Sequence, residues 1–98
     1  MIKHVIIWKL KESVENKEET MKSIKSALEG LTGKIEGLEK MLVLTDKLPS
    51  SSGDLMMDSL FTDDEALKND QKNPLHLEVA NGLVRPNVEI RLSFDFEE

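Results

Sequence analysis

The chain of 98 residues carries a formal net charge of −6, with 39% apolar and 33% charged side chains. That length makes one domain, residues 1–98, with a modest core, while the acidity argues against nucleic acid or an anionic membrane as partner, since both need a basic footprint. The absence of cysteine excludes disulfides, thiolate catalysis and zinc–sulfur sites and fits a reducing cytoplasm, and no apolar run is long enough for a signal peptide or a membrane span.

Strand one is expected from about Ile2 to Lys11. Ile2, His4, Ile6, Trp8 and Leu10 share one face, and Val5 and Ile7 lie on the other. A strand apolar on both faces needs two covers. Ser13 and Asn16 are candidate caps for a helix from Lys17 to Leu31. In it Met21, Ile24, Ala27, Leu28 and Leu31 make one apolar stripe. Its acidic start and later lysines suit the helix dipole, and Gly30 and Gly33 are expected to stop it. The run Leu38 to Leu48 is less apolar than strand one and reads as a strand nearer the sheet edge.

Pro49-Ser50-Ser51-Ser52-Gly53 is the clearest turn signal in the chain. It leads into strand three, Asp54 to Thr62, where Leu55, Met57, Ser59 and Phe61 alternate with Met56, Asp58 and Leu60. Thr62-Asp63-Asp64-Glu65 resembles a capping box opening a short helix. Asn73-Pro74 breaks that helix and opens another, in which His76, Val79, Ala80 and Leu83 share a face, until Gly82 and Pro86 end it. The last strand, Asn87 to Phe96, alternates strictly. Val88, Ile90, Leu92, Phe94 and Phe96 point one way; Asn87, Glu89, Arg91, Ser93 and Asp95 point the other.

The order is β-α-β-β-α-β, the split βαβ arrangement of an α+β, ferredoxin-like subunit. Right-handed crossovers give an antiparallel four-stranded sheet in the order 4-1-3-2 with both helices on one face. The helix-free face then exposes Val5, Ile7, Met56 and Leu60, an apolar patch that a second copy of the chain would cover in a dimeric α/β barrel. The low apolar fraction agrees with a core shared between subunits.

Four stretches carry a family resemblance. Met1-Ile2-Lys3-His4-Val5-Ile6-Ile7-Trp8-Lys9-Leu10-Lys11 resembles the opening of the Dabb family, the stress-responsive α/β-barrel domains. Gly30-Leu31-Thr32-Gly33-Lys34-Ile35-Glu36-Gly37-Leu38 is similar to its L-x-G-x-I-x-G-L turn, and Phe61-Thr62-Asp63-Asp64-Glu65-Ala66-Leu67 to its F-x-s-x-e-a-L segment. Asn73-Pro74-Leu75-His76 is similar to its H-P-x-H. The resemblance spans the chain in order and implies a ferredoxin-like subunit and a dimer whose two sheets form a barrel. Most members have no assigned activity; some plant members look like stress proteins, and one type is a polyketide cyclase. In cyclase-type members a pocket between sheet and helices holds the histidine of strand one and the second histidine of H-P-x-H, which the resemblance carries onto His4 and His76. Asn73 stands at the motif's first histidine, and the chain has no tyrosine.

His4 and His76 are the only two histidines and are the candidate acid–base pair. The plainer role for each is a buried ring hydrogen-bonded to backbone. Trp8 is either the floor of a ligand cavity or core packing, and Met41, Met56 and Met57 are either an adaptable lining or ordinary filler. Asp58 is expected on the dimer-side face with Glu89 and Arg91, as a cross-strand charge set. Ligand spacing for a metal is absent, the glycines Gly30, Gly33 and Gly37 do not form a phosphate loop, and no cofactor is expected.

Three functions follow as expectations. The first is a small cytoplasmic homodimer binding a small, partly apolar molecule, in a pocket lined by Ile6, Trp8, Ile24, Leu28, His76 and Val79 with His4 at one side. The second is a lyase, cyclase or isomerase on the same pocket, with His76 as acid–base. The third is a purely structural stress protein.

Overall fold

A computed structural model describes all 98 residues. The first strand, β1 (Ile2–Leu10), lies inside a four-stranded sheet. It is followed by helix α1 (Lys17–Glu29), strands β2 (Leu38–Leu44) and β3 (Leu55–Phe61), and short helices α2 (Asp64–Asp70) and α3 (Pro74–Val79). A π-helical turn (Ala80–Val84) and a 3-10 turn (Arg85–Asn87) lead into β4 (Val88–Glu97). The sheet order is β2-β3-β1-β4 with every pairing antiparallel, the order expected from the sequence. No helix is long and apolar enough to cross a membrane.

The helices form where the caps allow. The side chain of Asn16 accepts from Glu19 N and starts α1. Asp63 rather than Thr62 caps α2, accepting from Ala66 N at 2.8 Å. Asn73, at the position of the motif's first histidine, accepts from Leu75 N at 2.9 Å, and Pro74 follows as the first helical residue. The helical stripe Ile24 and Leu28, continued by Leu31 and Ile35, packs on Ile6, Trp8, Leu10, Val43, Met57 and Phe61 in one buried cluster. Each such side chain contributes roughly 1.5–3 kcal/mol on burial.

Gly37 allows the closest approach between the loop and a helix. Its φ is +84°, and a Cβ there would lie 2.4 Å from the Ala66 Cβ. The bare glycine lets α2 sit on the turn before β2, and Gly37 O accepts from Thr62 N at 2.9 Å.

Register fixes which face each strand presents. On β1 the residues His4, Ile6, Trp8 and Leu10 are buried under the helices. Ile7 lies opposite Met56 on one side and Leu92 on the other, and Val5 lies opposite Asp58 and Phe94. Directly opposed residues point to the same side, so Ile90, Leu92, Phe94 and Phe96 face away from the helices. This corrects the placement of Glu89 and Arg91. They do not join Asp58 on the helix-free face; Arg91 lies opposite Trp8, on the helix side. Asp58 pairs instead with Lys3. Alternation yields two stripes but cannot say which one meets the helices. A one-residue slip between Lys9 and Leu10 turns Val88 back toward the core, so the apolar stripe of β4 divides between the two faces.

The helix-free face of the chain is therefore more apolar than the sequence alone suggested. Leu42 and Leu44 from β2 join Ile7, Leu92, Phe94 and Phe96, all more than 40% exposed, and the Phe94 and Phe96 rings meet edge to face at 5.8 Å.

Candidate functional site

Between the sheet and the helices lies a cavity of about 410 Å3. Ile6 and Trp8 of β1, Met57 of β3 and Leu28 of α1 line its apolar part, with Ala80 and Val84 from the π-helical turn and Val88. Widened π turns recur at functional sites because they redirect side chains out of helical register. Gln71, His76, Arg85, Glu89 and Arg91 supply the polar part.

Four of the residues expected in the pocket, Ile6, Trp8, Leu28 and His76, do line it. Three do not. Ile24 is wholly buried in the core, Val79 packs against that core, and His4 is only 4% exposed and does not line the cavity. Of the methionines, Met57 reaches the cavity, Met41 is core, and Met56 lies on the opposite face. A larger, more open hollow of about 520 Å3, between Ile7, Leu44, Met56 and the β2–β3 loop, belongs to that helix-free face and not to the histidines.

The two histidines have separate carboxylate partners. His4 Nδ1 meets Asp95 Oδ1, and its backbone oxygen accepts from the buried Ser59 Oγ at 2.7 Å. Asp95 reaches it because β4 turns its polar stripe inward. His76 Nδ1 lies 3.5 Å from Asp70 Oδ2. That gap leaves His76 Nδ1 and Asp70 Oδ1 buried and without a hydrogen-bond partner, although Gln71 Nε2 donates to Asp70 Oδ2 at 3.2 Å. Buried polar atoms are nearly always bonded, so this pair has capacity for a further polar atom.

Burial pushes the Asp70 carboxyl above its usual range, against the attraction of His76 and His4. Burial also pushes His76 below its usual range. Asp70 opposes that shift, while His4, Arg85 and Arg91 add to it. Near neutral pH His76 is thus an uncharged imidazole in an apolar wall, able to take or give a proton. No three His, Asp or Glu side chains come together as a metal-binding set.

Asp70, Gln71, Arg85, Arg91 and Asp95 were not legible as site residues. The polar stripe of β4 carried the signal for Asp95 and Arg91, since the correct face would have set it beside His4 and Trp8. No spacing in the chain marks Asp70 as the partner of His76.

The fold and the ordered motifs converge on one family, the stress responsive A/B barrel domain, Dabb, which matches residues 2–98. The chain belongs to that family. A dimeric protein of unknown function with a ferredoxin-like fold from Bacteroides fragilis is 27% identical, with a TM-score of 0.89 over 99% of this chain and 95% of that one. A Dabb family protein from Mesorhizobium loti is 20% identical, with a TM-score of 0.79 over 99% and 95% of the two chains. The hydroxynitrile lyase of Passiflora edulis is 16% identical, with a TM-score of 0.80 over 97% and 90%. The last two are likenesses of fold. None of the curated proteins matches this chain in sequence.

Proposed function

We propose that this Dabb chain is a homodimeric binding protein that holds a small, partly apolar molecule between its sheet and its helices. The observation that carries the reading is the 410 Å3 cavity, apolar at Ile6, Trp8, Leu28 and Met57 and polar at His76 and Gln71. Cavities of this size and make-up suit compact organic ligands. The polar side chains His76, Gln71, Arg85 and Arg91 in its lining support a ligand with at least one polar group. The exposed apolar face supports the dimer, as does the dimeric relative from Bacteroides fragilis. The absence of cysteine supports a cytoplasmic setting.

Trp8 is the sole tryptophan and lines the cavity, so its emission is a direct reporter. Native mass spectrometry of the purified protein is expected to show a retained small molecule, and its removal to change Trp8 emission. A chain that carries nothing, and whose Trp8 emission no small molecule moves, overturns the reading.

One observation favours a second reading, an enzyme of the lyase, cyclase or isomerase kind. The half-buried, uncharged His76 backed by Asp70 has the form of an acid–base group. His76→Ala separates the two readings. Loss of a turnover with folding intact supports the enzyme; a change in affinity alone supports the binding protein.

A further inference from the structure

The two arginines that line the cavity have no carboxylate partner. Glu89 has Lys9 at 4.0 Å, Asp95 is held by His4, and Asp70 lies against His76. Two cations remain. Arg85 donates only to the uncharged Asn81 side chain, at 2.5 Å. Arg91 takes part in no ion pair and no side-chain hydrogen bond, and it lies opposite Trp8 in the β1–β4 register. Two guanidinium groups without a carboxylate partner, lining a largely apolar cavity, are unexpected in a chain of net charge −6.

We propose that the molecule held in this cavity carries a single carboxylate, met by Arg91 with Arg85 as the second cation, while its apolar body lies against Trp8, Ile6 and Leu28. The inference rests on the cavity being a small-molecule site. Arginine presents a planar fork of donors that matches a carboxylate in a two-point contact. Glu89 shares the rim, and the chain is acidic overall, so one negative charge is accommodated better than the two of a phosphate monoester. Arg85 and Arg91 both lie close enough to disfavour a charged His76, which places them within electrostatic reach of the same space.

The test is a titration of the full chain followed by Trp8 emission and by calorimetry. The probes share one apolar body: 3-phenylpropionate, 3-phenylpropionamide and 2-phenylethyl phosphate. At pH 7.5 and low salt the acid is expected to bind at least tenfold more tightly than the amide, and more tightly than the phosphate. Arg91→Gln is expected to reduce the acid to the level of the amide. Equal binding of acid and amide overturns the inference and leaves the cavity reading standing, as does tighter binding of the phosphate. An acid preference that survives Arg91→Gln also overturns it. If none of the three binds, the inference falls, and the cavity reading is decided by whether the purified chain retains a small molecule. Should the variant not fold, the comparison of acid and amide on the unaltered chain decides.

Discussion

His76 Nδ1 stands 3.5 Å from Asp70 Oδ2, with the two side chains 16% and 3% exposed. The break at Asn73-Pro74 makes this meeting, because it folds the first turn of α3 back toward the last residue of α2. Burial is the main force on both groups, and it acts against charge on each.

The two groups therefore pull stability in opposite directions as pH changes. Asp70 has a folded value above the usual 3.8. As pH rises between those values the unfolded chain gives up a proton that the folded chain keeps, and stability is lost. His76 has a folded value below the usual 6.5. As pH falls below 6.5 the unfolded chain gains a proton that the folded chain resists, and stability is lost again. Asp70→Asn removes the first loss. It is expected to be more stable than the unaltered chain at pH 8, by about 1–3 kcal/mol for a buried unpaired carboxylate, with the gap closing toward pH 4. The His76 titration followed by NMR should shift further down, because Asp70 attracts the charged ring. Urea unfolding across pH checks the first outcome, and an equal effect at pH 4 and pH 8 would refute it.

The helix-free face predicts a second result. Leu92 and Phe94, on the edge strand β4, are 64% and 66% exposed on this face, opposite Ile7 and Val5. In a two-fold dimer each substitution occurs twice. At roughly 1.5–3 kcal/mol per buried side chain, Phe94→Asp or Leu92→Asp should shift the chain to monomer. The unaltered chain should show an unfolding midpoint that rises with protein concentration, and the variants should not. Sedimentation velocity at micromolar concentration decides it; a variant that stays dimeric places the interface elsewhere.

The same face shows what the sequence carries and what it withholds. β1 was legible because both of its stripes are apolar, so neither assignment of faces could mislead. β4 was legible as a strand but not in its orientation: one stripe is apolar, and only its register against Val5 and Ile7 turns that stripe away from the helices. The site residues divide in the same way. Ile6, Trp8 and Leu28 follow from periodicity, and His76 from the motif. Asp70 and Arg85 come from the α2–α3 break and the π-helical turn, local geometries that no alternation of apolar residues encodes. Gly82, expected to end the last helix, lies inside that turn.

Two glycines with nearly the same backbone give a third, paired prediction. Gly33 and Gly37 have φ of +83° and +84°. A Cβ at Gly33 meets nothing within 4 Å, whereas one at Gly37 meets the Ala66 Cβ at 2.4 Å. Gly33→Ala then carries only the left-handed backbone cost, about 1–2 kcal/mol. Gly37→Ala adds a clash that α2 must relieve by moving, for a total of about 2–5 kcal/mol. Because α2 ends in Asp70, the same movement should change the His76 titration in Gly37→Ala and leave it unaltered in Gly33→Ala. Chemical unfolding and NMR of the two variants check this, and equal costs would refute the close approach.

The fourth prediction concerns the edge strand. Val43 of β2 turns its backbone away from β3, and α1 satisfies it. Glu29 Oε2 accepts from Val43 N at 2.9 Å, Lys25 Nζ donates to Val43 O at 2.7 Å, and the two side chains meet at 2.8 Å. The Lys25 ammonium and the Val43 N–H hold the Glu29 carboxyl below its ordinary 4.5. Its contribution is present above that value and is lost as pH falls through the lower, folded one. The clamp also keeps an otherwise open strand edge from pairing with another chain. Charged hydrogen bonds contribute about 1.5–3 kcal/mol, so Glu29→Ala should speed amide exchange at Val43 by about tenfold or more at neutral pH. Exchange in β1, at the centre of the sheet, should change less. Hydrogen exchange resolved by residue checks it, and an unaltered rate at Val43 would mean that the edge is held by packing alone.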